Sequence, residues 1–223
     1  MGLIAGPLSA AFWRVTEPLP PDFAQAAERH LKRHAFKPLD PARGPGRSVG
    51  WVHISQILDS GLTLRRVRFG DVIALGLRVD RLALNPRLFR AAVAQELARA
   101  EREKGAEAVT GRLRAAREAK VRLELLRVQT PTTAVYDVAW HLQQGVVVFG
   151  STSARLNAEF GELFGQTFGV AIEPATPLDR AVAWARRQRM EPELAAALPA
   201  ALSPAMPGPA IAVGPAAEEA ARP

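Results

Sequence analysis

Between Pro86 and Arg127 the chain carries two consecutive stretches of helical character, broken near Gly105 and again at Thr110-Gly111. Segments with the two-residue period of β-strands lie on both sides of it. This placement predicts a helical arm projecting from a sheet-containing body. In the first helix Phe89, Val93, Leu97 and Ala100 form an apolar stripe. The second, from about Glu107 to Arg127, has a thinner stripe through Val109, Leu113 and Ala116. It becomes strongly apolar only at Leu123, Leu125 and Leu126, which fits a buried base and an exposed distal half.

The arm is also where charge collects. From Arg87 to Arg122 there are ten Lys/Arg against five Glu, a net of +5. Residues 27–50 contribute six basic and two acidic side chains, and 51–86 a further +2, so 27–122 carries +11 of a chain whose total is +7. A regional excess of this kind on a plain domain points to a polyanion, with nucleic acid as the leading partner. The alternative is that the charge serves solubility on helix surfaces.

With no cysteine in 223 residues, disulfides, thiol nucleophiles, Fe–S clusters and Cys-ligated zinc are excluded. No stretch reaches the roughly 18 apolar residues that a membrane span requires. Met1–Ala11 lacks the charged start of a signal peptide, so a cytoplasmic protein with no membrane partner is expected.

Ahead of the arm, Phe12–Val15 reads as a short edge strand and Asp22–His34 as an amphipathic helix with Phe23, Ala27 and Leu31 inward. Gly50-Trp51-Val52 begins or flanks a strand. Leu64–Phe69 alternates, with Arg66 and Arg68 on one face, and pairs across Gly70-Asp71 with a more apolar strand, Val72–Val79. Beyond the arm, Ala134–Leu142 alternates with Tyr136, Val138, Trp140 and Leu142 inward. After a turn at Gly145, Val146–Phe149 is apolar throughout and expected to be central. Ser151-Thr152-Ser153 caps a helix facing inward with Leu156, Phe160, Leu163, Phe164 and Phe168. A last helix opens at Thr176-Pro177, and all four tryptophans, Trp184 included, read as core. The expected class is therefore α+β, with antiparallel hairpins packed on amphipathic helices. It divides into an α+β unit (1–85), the arm (86–130), a second hairpin with helices completing the body (131–190), and an Ala/Pro-rich disordered tail (191–223).

No catalytic constellation emerges, and neither an enzyme nor a cofactor is expected. His30 and His34 stand four residues apart on one helix, a spacing that can bind zinc, but no third ligand matches them. The carboxylates Asp59, Asp71, Asp80 and Asp137 are scattered, whereas a metal-dependent nuclease needs them clustered. The strand–Gly150-Ser151-Thr152-Ser153–helix junction has the form of an anion site at a helix start, but plain capping accounts for it.

The order of these pieces resembles the RdgC family of recombination-associated proteins. The likeness runs from His34-Ala35-Phe36-Lys37-Pro38 and Gly50-Trp51-Val52, through Val72–Val79 and the Leu84–Pro86 start of a long helix, to Glu124-Leu125-Leu126. It continues with Val138-Ala139-Trp140-His141 and ends with Phe168-Gly169, Thr176-Pro177-Leu178 and Trp184, covering roughly residues 12–187. The resemblance implies an α+β protein that dimerises into a ring around duplex DNA, binds without sequence preference and restrains a RecA-type recombinase. Two features depart from the family: Thr130 stands where the family has a tip phenylalanine, and the family continues for a further part of each subunit.

From charge and resemblance together, the expected phosphate contacts are Arg65, Arg66 and Arg68 of the first hairpin and Arg90, Arg99, Arg112, Arg114, Arg117, Lys120 and Arg122 of the arm. The expected partners are double-stranded DNA, a second copy of the chain and a recombinase. The competing reading is a protein-interaction module that keeps the fold, uses the arm as a docking surface and does not bind DNA.

Overall fold

Phenylalanine and tryptophan side chains decide how the sheet is covered. In a computed structural model, which describes residues 2–4, 6–104 and 110–197, helix α5 (Ala154–Phe168) buries Leu156, Phe160, Phe164 and Phe168 along one side. Phe160 stacks on Phe149 at 4.1 Å between ring centroids and meets Trp13, Trp51 and Phe164 at 5.6–6.3 Å. Helix α1 (Phe23–Arg33) lies against α5 and adds Ala27 and Leu31, both fully buried, with Phe23 edge-on to Trp140.

The strands beneath are β1 (Ala11–Val15), β2 (Gly46–His53), β3 (Arg68–Phe69), β4 (Val72–Leu82), β5 (Thr132–His141), β6 (Val146–Phe149) and β7 (Ile172–Pro174). They form one antiparallel sheet in the order β2-β4-β5-β6-β1-β7, with β3 paired to the start of β4. β4 and β5 pair directly from Val72–His141 to Arg81–Thr132, so the strands on either side of the arm are neighbours in a single sheet. The pleat sends Trp51, Leu75, Leu77, Val138, Trp140, Val147 and Phe149 toward the helices. Alternate positions, among them Ala74, Val135, Ala139 and Val148, form the other face and are only half-buried.

The segment around His34-Ala35-Phe36 runs beside β2: Trp51 N–H donates to His34 O at 3.0 Å and Phe36 N–H to Trp51 O at 2.9 Å. A Cβ on Gly50 would lie 2.5 Å from Phe36 Cα, so only glycine admits this approach. On the far side of β4, Arg78 clamps Asp80 through both guanidinium edges (2.8 and 2.7 Å) and stacks 4.2 Å over the Phe36 ring. Burial pushes the Asp80 carboxyl up. The hydrogen bonds from Arg78 and Thr133 and the Arg78 charge outweigh it, leaving the group below the usual carboxylate range.

The α+β class holds, and four local expectations are corrected. Leu64–Phe69 is not a strand: Leu64–Val67 forms a helical turn, α2, and only Arg68–Phe69 pair with β4. The Glu28 carboxylate of α1 accepts the Leu64 N–H, and Leu62 and Val67 are buried, so a partner 36 residues away overrides the local alternation. β1 is not at an edge, because β7 covers its outer side through Trp13–Pro174 to Val15–Ile172. Trp184 is about half exposed rather than core. The tail expected from residue 191 begins with a further short helix, α7 (Glu191–Ala196), and its remainder from 198 lies outside the described residues.

The chain divides into two compact units, Met1–Pro177 and Leu178–Pro223. Helix α6 (Pro177–Gln188), expected to complete the body, thus begins at the boundary. Within the second unit, Arg186 pairs with Glu191 at 3.3 Å and Met190 N–H donates to Ala185 O, closing the turn between α6 and α7.

Candidate nucleic-acid interface

The arm consists of α3 (Pro86–Lys104) and α4 (Gly111–Val128). Asn85 caps α3 by accepting from the N–H groups of Arg87 and Leu88, and Thr110 caps α4 by accepting from Leu113 N–H. Residues 105–109, which include Glu107 and Val109 of the expected second helix, lie outside the described residues. Glu96 meets Arg117 and Phe89 meets Arg122, so numbers rise along one helix as they fall along the other: the pair is antiparallel. Val93, Ala100 and Val121 are buried along the arm. At its base Leu126 is buried, and with Ala119 and Leu123 it faces the 3-10 turn at Pro41–Arg43 across a cavity of about 250 Å³.

The ten predicted phosphate contacts separate into three groups. Arg65 and Arg112 are exposed and have no hydrogen-bond or ion-pair partner among the described residues. Arg68 and Arg90 donate only to backbone carbonyls, Gly70 and Pro86, and Arg122 lies 5.1 Å over the Phe89 ring. None of these five faces a carboxylate among the described residues. The other five face carboxylates: Arg66 with Asp59, Arg99 with Glu103, Arg114 with Glu118, Lys120 with Glu124 and Arg117 with Glu96. Three of these pairs are exposed i,i+4 contacts, each worth only about 0.3–0.5 kcal/mol, which a phosphate can readily exchange. Arg117 differs. It occupies the seam between the helices, only 23% exposed in its side chain, and ties α4 to α3 rather than facing outward.

Arg66 is also drawn inward. It donates to Gly61 O at 2.6 Å and to Asp59 at 2.5 Å. The Asp59 carboxyl is held below its ordinary value first by the hydrogen bond from Arg66 and next by that from Gly61 N–H. Arg66 therefore fastens the 59–66 loop, and Arg65 and Arg68 are the outward cations of the first hairpin.

The two sets lie at opposite ends of one strand. Arg68 sits beside Ile73 at the start of β4, whereas α3 leaves four residues after Leu82 at its end. The eleven-residue strand between them spans about 35 Å.

The sequence pattern missed a further cluster. Arg47 on β2 and Arg81 on β4 are cross-strand partners, and both line one cavity of about 350 Å³ with Arg155 from the first turn of α5. They continue the inward-facing series Trp51-Val49-Arg47 and Leu77-Val79-Arg81, a signal visible in sequence once the strands are aligned.

Neither histidine pair nor carboxylates assemble a metal centre: among the described residues no group of three His, Asp or Glu could hold an ion. His34 is pushed down by burial and by the nearby charges of Arg33, His30 and Lys37, which favours the neutral ring. Ser153 does not cap α5 with its side chain; instead Asn157 donates to the carbonyls of Ser151 and Ser153. Among the described residues no helix is long and apolar enough to cross a membrane. No protein-family model matches the sequence, and no curated protein matches it.

Proposed function

We propose that this chain is a non-catalytic protein that binds double-stranded DNA without sequence preference, in the manner its resemblance to the RdgC family implies, in a recombination setting that includes a RecA-type recombinase. The observation that carries the reading is the distribution of outward cations: Arg65 and Arg68 at one end of β4, and Arg90, Arg112 and Arg122 on the arm that leaves the other end. The strand between the two sets spans about 35 Å, on the scale of one turn of B-form duplex, after which the phosphate backbone again faces the same side. Cations at that spacing, without base-reading side chains on a single helix face, suit phosphate tracking rather than sequence readout. Homodimerisation belongs to the same reading, and the half-buried apolar sheet face at Ala74, Ala139 and Val148 supports it.

Mobility shifts on two unrelated duplexes test the proposal. Both should bind alike, and affinity should fall by roughly a decade or more between 50 and 200 mM salt. Replacing Arg112 and Arg122 together by Glu should weaken both complexes and flatten the salt slope. No shift at the lower salt ends the idea.

A second reading is favoured by one observation, that half of the ten candidate cations already face carboxylates within the chain. In that reading the arm is a docking helix pair for a protein, and the same charge reversals leave binding of its partner intact.

A further inference from the structure

Arg47 and Arg81 are directly opposed on neighbouring strands, on the face that meets α5. Like charges in that position repel, and a single carboxylate is on hand to offset them. Glu159 of α5 takes Arg47 in a two-pronged pair, with Arg47 Nη2 donating to Oε2 at 2.6 Å. Arg81 and Arg155 have no hydrogen-bond or ion-pair partner among the described residues, although both line the same cavity. Tyr136 and Ser153 line it as well. The cleft of about 350 Å³ is therefore lined by three arginines and one glutamate, a net of +2, with Arg81 and Arg155 exposed and unpaired among the described residues.

It also continues. A second cavity of about 530 Å³ shares Arg47, Val79 and Arg81 and runs to the Gln129–Thr132 segment, where the chain leaves the arm. The combined trough joins the end of the sheet to the arm base.

We infer that this trough is an oxyanion site that takes a phosphoryl group, with Arg81 and Arg155 as its open ligands and Arg47 held in place by Glu159. The planar forks of arginine match the oxygens of a phosphate two at a time, and an anion between Arg47 and Arg81 relieves their opposition. The shared chemistry is a tetrahedral phosphoryl oxyanion, whose source is either a free phosphate compound or the backbone of a nucleic acid. The site does not depend on the arm cations, so it stands or falls separately from the DNA-binding proposal.

Titration of the full chain with inorganic phosphate at constant ionic strength, read by calorimetry, is the test. Saturable one-site binding is expected. Arg81→Ala and Arg155→Ala should each weaken it roughly tenfold, since each removes a charge-assisted contact. Glu159→Gln should act in the opposite direction and tighten binding, because it removes the negative charge that opposes the anion while its amide oxygen can still accept from Arg47, so mere loss of folding cannot mimic the pair of results. Absence of saturable binding, or equal affinity in all three variants, overturns the site. Competition assigns the source. Phosphate that displaces duplex beyond a chloride control of matched ionic strength makes the occupant a backbone phosphate, and phosphate that binds without displacing duplex makes it a free phosphoryl compound.

Discussion

In the body, Phe160 is fully buried and touches four aromatic rings, whereas the side chains buried along the arm are Val93, Ala100 and Val121, with Leu126 at its base. Ion pairs follow the same division. Arg78 and Asp80 are clamped at two points with side-chain exposures of 14% and 4%, while Arg117 and Glu96 meet at one point and keep 23% and 21%. The body has enough dry contact to fix one arrangement. The arm has a thin apolar seam and charges that water still reaches, so packing between its two helices holds it less firmly than the aromatic cluster holds the body. A surface built this way can carry many cations close together because little of its stability rests on them.

Phe160→Ala gives the largest expected effect. It removes a ring at the centre of the aromatic cluster and should cost about 3–5 kcal/mol in a urea or thermal melt. Val121→Ala in the arm should cost about 1.5 kcal/mol, the loss of two buried carbons in a site that can close up. Equal losses from the two would break the contrast between body and arm. Next comes Asp80→Asn, which leaves Arg78 half-buried without its partner and should cost about 3 kcal/mol. Acid probes the same pair. Asp80 has a lowered carboxyl value in the folded chain, so its contribution is present in full above the ordinary aspartate range and is lost as pH falls through the folded value. Stability of the wild type should drop below about pH 4, and that part of the drop should be missing in Asp80→Asn. A profile identical in both proteins removes the pair from the account.

How much of this could be read from the residues depends on the range of the interaction involved. Helices α1 and α5 were legible because their apolar positions recur at helical spacing, and Phe160, Phe164 and Phe168 are buried as that spacing requires. The β5–β6 hairpin followed from alternation and the turn at Gly145, which has φ of +62°, whereas the β4–β5 pairing was not legible because the whole arm separates its two strands. Leu64–Val67 was not legible, because the Glu28 carboxylate that favours the turn comes from another element. The interior place of β1 depends on β7, three residues long and too short to show any period. For the candidate interface, charge located the arm but not the partners of each cation. Nothing local distinguishes Arg117, which sits in the seam, from Arg114, three residues earlier and exposed. Arg47, Arg81 and Arg155 come from three elements, and only the register of β2 on β4 brings the first two together.

The smallest effect is the one that tests the arm most directly. Arg117 and Glu96 are 3.0 Å apart and join α4 to α3 about midway along the described length. If the seam between the helices is as weakly held as its exposure implies, a double-mutant cycle with Glu96→Ala and Arg117→Ala should return a coupling of about 0.5–1 kcal/mol, the range of a pair still partly in water. Salt should reduce it further, since both groups remain within reach of counterions. The same cycle carried out on duplex affinity separates the two proposed roles of the arm. Glu96→Ala frees Arg117 to face a phosphate and should tighten binding slightly in a DNA-binding protein, and it should leave the affinity of a protein-docking arm for duplex at background. A coupling above about 2 kcal/mol would place the arm's stability in its own seam and make it a rigid unit in the same sense as the body.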